Sequence, residues 1–216
     1  MKRILIVGGG GQGHIIHDVL SRDANLREEG IQIAGFLDTR ADLAQPEGLD
    51  AAVLGNPLDW KVEADDLYIP AIGNPEWRER LLAPLIAQNA RFISYTKEAF
   101  IAARTMIGQG VYMTPASVAS TDCRIHDFCY IDTYVVIGHD VEIGAYSMIS
   151  AMTFLAGGVR VGKGVWIHPR SVVAKGVRIG DRAVVGIGSV VVKDVPPDVT
   201  VFGNPARVIS VREGGA

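Results

Sequence analysis

The sequence predicts two parts: a small α/β domain on a parallel sheet over residues 1–100, then a parallel β-solenoid of six-residue repeats over residues 101–216. Three observations carry this. The chain opens with a buried-strand run, Ile4-Leu5-Ile6-Val7, that breaks into glycines before a helical segment. From Ile107 an apolar residue returns at every sixth position, without a slip, as far as Val191. The phase then fails at Val195-Pro196-Pro197-Asp198, ahead of a tail that reads as the cap of the solenoid.

In the first part, Ile4–Val7 predicts a strand, Gly8-Gly9-Gly10-Gly11-Gln12-Gly13 a turn, His14–Ser21 a helix and Ile31–Leu37 a second strand. Leu67–Ile72, Glu76–Gln88 and Arg91–Ser94 then predict a strand, a helix and a further short strand. The spacing Gly8-x-Gly10-x-x-Gly13 fits the dinucleotide fingerprint, and Asp38 ends the second strand, where an acid meets a ribose. Glycines there let backbone N–H groups and a helix N-terminus approach a phosphate, which suits a nucleotide sugar as well as NAD. A full NAD domain needs more sheet than the residues before position 100 supply, so a nucleotide sugar is the preferred ligand. A purely structural glycine turn is the bland alternative.

In the second part, the apolar series Ile107, Met113, Ala119, Ile125, Ile131 and onward is shadowed two residues earlier by a small or β-branched series. That series includes Val111, Ser117, Cys123, Cys129, Val135, Val141 and Ser147. Two fixed registers with free residues between them fit a triangular solenoid with three hexads per coil, giving about five coils. Gly108, Gly138, Gly144, Gly162, Gly180 and Gly186 follow the aliphatic residue and read as tight-corner glycines. Cys123 and Cys129 fall in the small register, so they read as packing groups, and their spacing is not that of a zinc site.

Composition narrows the function. A hydrophobic fraction of 48% over 216 residues excludes a disordered chain. A net charge of −3 with no dense basic block excludes nucleic-acid and anionic-membrane binding as main functions. The opening apolar run is too short for a signal peptide or membrane insertion, so the expected location is cytoplasmic.

The segments Ile6-Val7-Gly8-Gly9-Gly10-Gly11, Phe36-Leu37-Asp38, Ile72-Gly73-Asn74, Ile137-Gly138-His139-Asp140 and Gly203-Asn204-Pro205-Ala206 stand in an order that covers nearly the whole chain. Together they resemble the sialic-acid O-acetyltransferase and nucleotide-aminosugar N-acetyltransferase family, hexapeptide-repeat acyltransferases with an N-terminal Rossmann-like domain. The resemblance implies a left-handed parallel β-helix, a homotrimer with active sites between neighbouring helices, and acetyl-CoA as co-substrate with no metal. It implies that Gly8, Gly10, Gly11, Gln12, Asp38, Thr39, Gly73 and Asn74 hold a nucleotide-linked amino sugar. It further implies that His139 is a general base with Asp140 as partner, and that Met148, Gly157, Gly158, Pro169, Gly186 and Ile187 line the acetyl-CoA groove. Gln12 departs from the family, whose members often carry histidine there; this chain has His14 two residues later.

Acyl transfer from a thioester requires a deprotonated nucleophile and a stabilised tetrahedral oxyanion, and histidine titrates in the useful range. His139 lies two residues after Ile137, outside both inward registers, so its ring is expected to project from a corner. A carboxylate at Asp140 can fix the imidazole tautomer. Adjacent residues on a strand point apart, so that pairing requires corner geometry or a neighbouring chain. His126 and His168 are weaker candidates, and Lys175 and Arg178 are candidates for CoA phosphates. The predicted activity is N-acetylation of a nucleotide-linked amino sugar in bacterial glycan biosynthesis. O-acetylation of a sialic-acid-type sugar and a non-catalytic nucleotide-sugar-binding scaffold are the alternatives.

Overall fold

The computed structural model describes residues 2–211 and divides into two units, Met1–Ile93 and Ser94–Ala216. The first contains β1 (Arg3–Val7), α1 (Gly11–Ser21), α2 (Ala24–Glu28), β2 (Gln32–Leu37), β3 (Val53–Gly55), β4 (Asp66–Pro70), α3 (Pro75–Ala87) and β5 (Arg91–Phe92). Its sheet is parallel throughout, in the order β3-β2-β1-β4-β5. β1 is paired on both edges and shielded on both faces, which is why Ile4, Leu5, Ile6 and Val7 are an unbroken apolar run with no exposed surface. The chain turns one way from β1 to β2 and the other way to β4. That reversal opens a crevice beyond the C-terminal ends of β1 and β4.

Two details depart from the expectation. β3 and α2 carry no periodic signal, because β3 is a three-residue edge strand and α2 has no buried residue. The glycine turn is also shorter than its sequence suggests: Gly10 is the N-cap, and Gly11, Gln12 and Gly13 already form the first turn of α1. Gly13 is required for packing, since a Cβ there would strike the Gly8 carbonyl. Gly8 itself takes φ +115 with Ala71 O 2.7 Å from where a Cβ would stand.

The second unit is a left-handed β-helix of hexapeptide repeats. Two-residue strands such as Val136–Ile137, Glu142–Ile143 and Met148–Ile149 recur every six residues. Each pairs in parallel with the strand one coil later, Ile137 with Leu155, Ile143 with Val161 and Ile149 with Ile167. Three faces result: a six-stranded one from Phe100–Ile101 to Val190–Val191, a five-stranded one from Met106–Ile107 to Arg178–Ile179, and a seven-stranded one starting at Tyr112–Met113. The seven-stranded face is closed by Val199–Gly203 and the antiparallel Ala206–Val211.

The aliphatic register fills the interior, with Ile131, Ile137, Ile143, Ile149 and Leu155 wholly buried. The small register ties coils together: Ser147 Oγ donates to Gly162 O at 2.9 Å and Ser171 Oγ to Gly186 O at 3.1 Å. Cys123 Sγ donates in the same way to Gly138 O at 3.1 Å, and Cys129 Sγ to Gly144 O at 3.2 Å. The two thiols therefore do the work of the serines, and burial pushes the Cys123 thiol pKa up.

The corners correct the sequence reading. Every sixth residue from Arg104 to Gly188 is left-handed, with φ between 57° and 73°, and this position lies two residues beyond the glycines that follow the aliphatic residue. Those glycines serve close approach of coils instead. A Cβ on Gly138 would stand 2.7 Å from Gly157 N, and one on Gly162 2.7 Å from Asp181 N.

Candidate active site

At the crevice of the first unit lies a cavity of about 520 Å³, and all of the sugar-site candidates line it: Gly8, Gly10, Gly11, Gln12, Asp38, Thr39, Gly73 and Asn74. Its floor is the start of α1, whose N-cap Gly10 supplies no side-chain hydrogen bond and whose first turn holds no acid. The leading N–H groups of α1 therefore face this space with their partial positive charge intact. Nothing lies within 4 Å of a Cβ built on Gly11, in contrast to Gly8 and Gly13, so packing alone does not require glycine there. The Gln12 amide lies over Gly73, where a Cβ would be 2.8 Å from its Oε1.

Asp38 is committed to the protein. Its carboxylate accepts from Gly9 N at 2.8 Å, Arg40 N at 3.0 Å and the Arg40 guanidinium at 2.9 Å from both Nε and Nη2. Burial alone raises its pKa, but the Arg40 guanidinium and the two backbone amides outweigh this and hold it below the usual carboxylate range. Asp38 thus pins the glycine turn and aims Arg40 at the cavity. Sequence reasoning missed Arg40, whose signal was a cation two residues after the expected acid. It also missed Arg78, a fully buried side chain that donates from Nε to Ile72 O at 2.7 Å and from Nη2 to Gly73 O at 3.3 Å. That guanidinium fixes the Ile72-Gly73-Asn74 wall, while Asn74 Oδ1 caps α3 by accepting from Trp77 N at 2.9 Å.

On the β-helix, His139 projects from the corner between the six- and five-stranded faces. Its Nδ1 lies 2.7 Å from Asp140 Oδ2, within one chain. The left-handed backbone at Asp140, φ 58°, turns two sequence neighbours toward each other where a strand would point them apart. Nε2 stands over Gly157 on the next coil, 2.5 Å from where a Cβ would be, so glycine at 157 is what leaves the ring its place. The peptide before His139 is held by the Cys123 thiol on Gly138 O, and Gly158 N donates to His139 O at 2.8 Å.

The remaining groove candidates separate. Gly157 and Gly158 share the corner of His139, with Lys175 exposed one coil further on. Pro169, Gly186 and Ile187 occupy the corner on the other side of the six-stranded face, and Met148 lies on the seven-stranded face with only 5% exposure. Gly186 has a packing reason of its own, because a Cβ would meet the Phe202 ring at 2.6 Å. His126 is held by Glu142 at 2.9 Å, and His168 is stacked on Trp166 with its pKa lowered by burial. Arg178 and Arg160 line a separate groove on the five-stranded face. Among the described residues no helix is long and apolar enough to cross a membrane.

Residues 3–85 match the model of the PglD N-terminal domain, and residues 122–157 and 158–193 match bacterial transferase hexapeptide (six repeats). No curated protein matches the chain. Among solved structures, PerB from Caulobacter crescentus, in complex with CoA and GDP-perosamine, is 27% identical over 97% of this chain and 98% of its own, with a TM-score of 0.83. The acetyltransferase domain of PglB from Neisseria gonorrhoeae FA1090 is 23% identical over 97% of this chain and 100% of its own, with a TM-score of 0.86. WeeI from Acinetobacter baumannii AYE is 22% identical over 97% and 100%, with a TM-score of 0.65; at these lower identities the likeness is one of fold. Repeats, fold and likeness together define the chain as a hexapeptide-repeat acyltransferase, an acetyltransferase. Within that class a PglD-type domain ahead of the β-helix matches the pattern of the sialic-acid O-acetyltransferase and nucleotide-aminosugar N-acetyltransferase family.

Proposed function

We propose that the chain transfers the acetyl group of acetyl-CoA to the amino group of a nucleotide-linked sugar, with His139 as general base and Asp140 as its positioning partner. The observation that carries this is the 2.7 Å bond between His139 Nδ1 and Asp140 Oδ2, which assigns the Nδ1 proton and leaves Nε2 as the acceptor. In the reaction the amine nitrogen attacks the thioester carbonyl as its proton passes to Nε2. The tetrahedral oxyanion then collapses, the C–S bond breaks, and the imidazolium returns the proton to the departing thiolate. Asp140 stabilises the imidazolium between those two steps.

The cavity of the first unit supports the nucleotide part of the reading. Helix N–H groups and the Arg40 guanidinium present positive charge to a diphosphate, which a free sialic acid does not possess. PerB, the 27% identical likeness, was solved with GDP-perosamine and CoA.

The separation of Gly157 and Gly158 from Pro169, Gly186 and Ile187 fits a trimer, in which the His139 corner of one chain meets the opposite corner of its neighbour. The face between those corners carries exposed apolar residues, Phe100 at 64%, Phe154 at 43%, Val136 and Val172, which suit burial against further copies.

The test is CoA thiol release from acetyl-CoA against a panel of nucleotide amino sugars, nucleotide sugars lacking the amine, and free sialic acid, with mass spectrometry of the product. Acetylation on nitrogen of a nucleotide amino sugar is the expected result. Turnover only with free sialic acid, or none at all, overturns the proposal.

A further inference from the structure

The cavity of the first unit carries an aromatic side chain that the nucleotide-sugar reading leaves unused. Trp77, in the first turn of α3, borders it while keeping 49% of its surface exposed. Its place is fixed by its surroundings. Pro75 opens the helix, Asn74 accepts from the Trp77 N–H, and one turn on the Arg80 guanidinium carbon lies 5.0 Å from the indole centroid. Ile72 and Leu81 extend the apolar wall beside it.

An indole lining a cavity and left this open to water gains by being covered. The same cavity is lined by the start of α1 and by Arg40, which suit an anion. A ligand that answers both features carries a phosphate and a flat π-face, which is the chemistry of a nucleotide. We propose that Trp77 is the nucleobase platform of this cavity, and that it makes the site favour a purine over a pyrimidine diphosphate. The inference rests on the nucleotide-sugar reading and narrows it.

The physical case is one of area and preorganisation. Stacking on an aromatic side chain uses the π-face that every base has, so its strength follows the overlap of the rings. Fused purine rings cover the fused indole, whereas a pyrimidine covers about half of it. Arg80 stacks on the indole and limits its rotation, so little side-chain freedom remains to be lost on binding. Since Trp77 is exposed at a capped helix start, its replacement leaves the core untouched.

The experiment is isothermal titration of the full chain with GDP, UDP and inorganic pyrophosphate, for the wild type, Trp77→Ala and Trp77→Phe, with circular dichroism confirming the fold. The expected result is tighter binding of GDP than UDP by the wild type. Trp77→Ala weakens GDP by about 10-fold or more, closes the gap to UDP and leaves pyrophosphate unchanged, while Trp77→Phe recovers most of the loss. Undiminished GDP binding by Trp77→Ala, or an equal loss for GDP and pyrophosphate, overturns the platform while the nucleotide reading stands. A wild type that binds pyrophosphate but neither nucleotide more tightly also removes the platform. A wild type that binds none of the three removes the nucleotide reading with it.

Discussion

Replacing Gly157 by alanine puts one methyl group where the His139 ring now lies. The new Cβ would stand 2.5 Å from Nε2 and 2.7 Å from Cε1, against a carbon–nitrogen contact of about 3.5 Å at its optimum. The ring must therefore retreat by roughly 0.5–1 Å. It has solvent to move into, but the bond from Nδ1 to Asp140, 2.7 Å long, stretches or breaks as it goes. Misplacing a catalytic group by about 1 Å costs on the order of 100-fold in rate, or about 2.7 kcal/mol of transition-state stabilisation. The fold has little reason to change, because the left-handed position of this corner is Gly158, φ 73°, and not Gly157. The expected result, from thiol-release kinetics at fixed acceptor, is a fall in kcat/KM of about 30- to 100-fold, with Tm within about 2 °C of wild type. A Gly157→Ala variant within about threefold of wild type refutes the placement of the base.

Asp140→Asn is expected to lower kcat about 10-fold or more with little change in KM for acetyl-CoA, because the amide no longer stabilises the imidazolium; an unchanged kcat contradicts the pairing. On the proposed assembly the wild type is expected to scatter as a trimer, and Phe154→Glu, which puts a charge on the exposed apolar face of the β-helix, to scatter as a monomer with turnover lost. An unaltered trimer places the interface elsewhere. The Asp38 carboxyl is depressed in the folded chain, so its contribution to stability is present above its unfolded pKa of about 3.9 and disappears as pH falls through the folded value. The gap in Tm between wild type and Asp38→Asn is therefore full at neutral pH and closes as pH falls below the unfolded carboxylate range; a constant gap refutes the assignment.

Much of the β-helix was legible because its two inward registers are set by steric limits that repeat without exception. A narrow interior admits only an aliphatic residue and a small one, and Cys123 and Ser147 satisfy the same corner-carbonyl bond. Its corners were misread, since chain conformation and coil approach place glycine for different reasons two residues apart. Asp140, Tyr146 and Arg182 hold the left-handed position without being glycine, so composition could not locate it. In the first unit the fingerprint led to the cavity, but the partners that hold Asp38, Gly9 and Arg40, are visible only in three dimensions. Nothing local in the sequence marks Arg78 as a guanidinium that folds back onto the carbonyls of Ile72 and Gly73. Trp77 sat in a helix of weak amphipathic signal, where an exposed aromatic has no pattern to break.

On the proposed function the His139 imidazole takes the proton of a nucleotide-linked amine during acetyl transfer. Single-turnover acetylation of the best nucleotide amino sugar by His139→Ala, at saturating acetyl-CoA and with acceptor affinity measured alongside, tests it most directly. The expected result is a rate reduced by about 100-fold or more with acceptor binding intact. A variant that acetylates at close to the wild-type rate contradicts it.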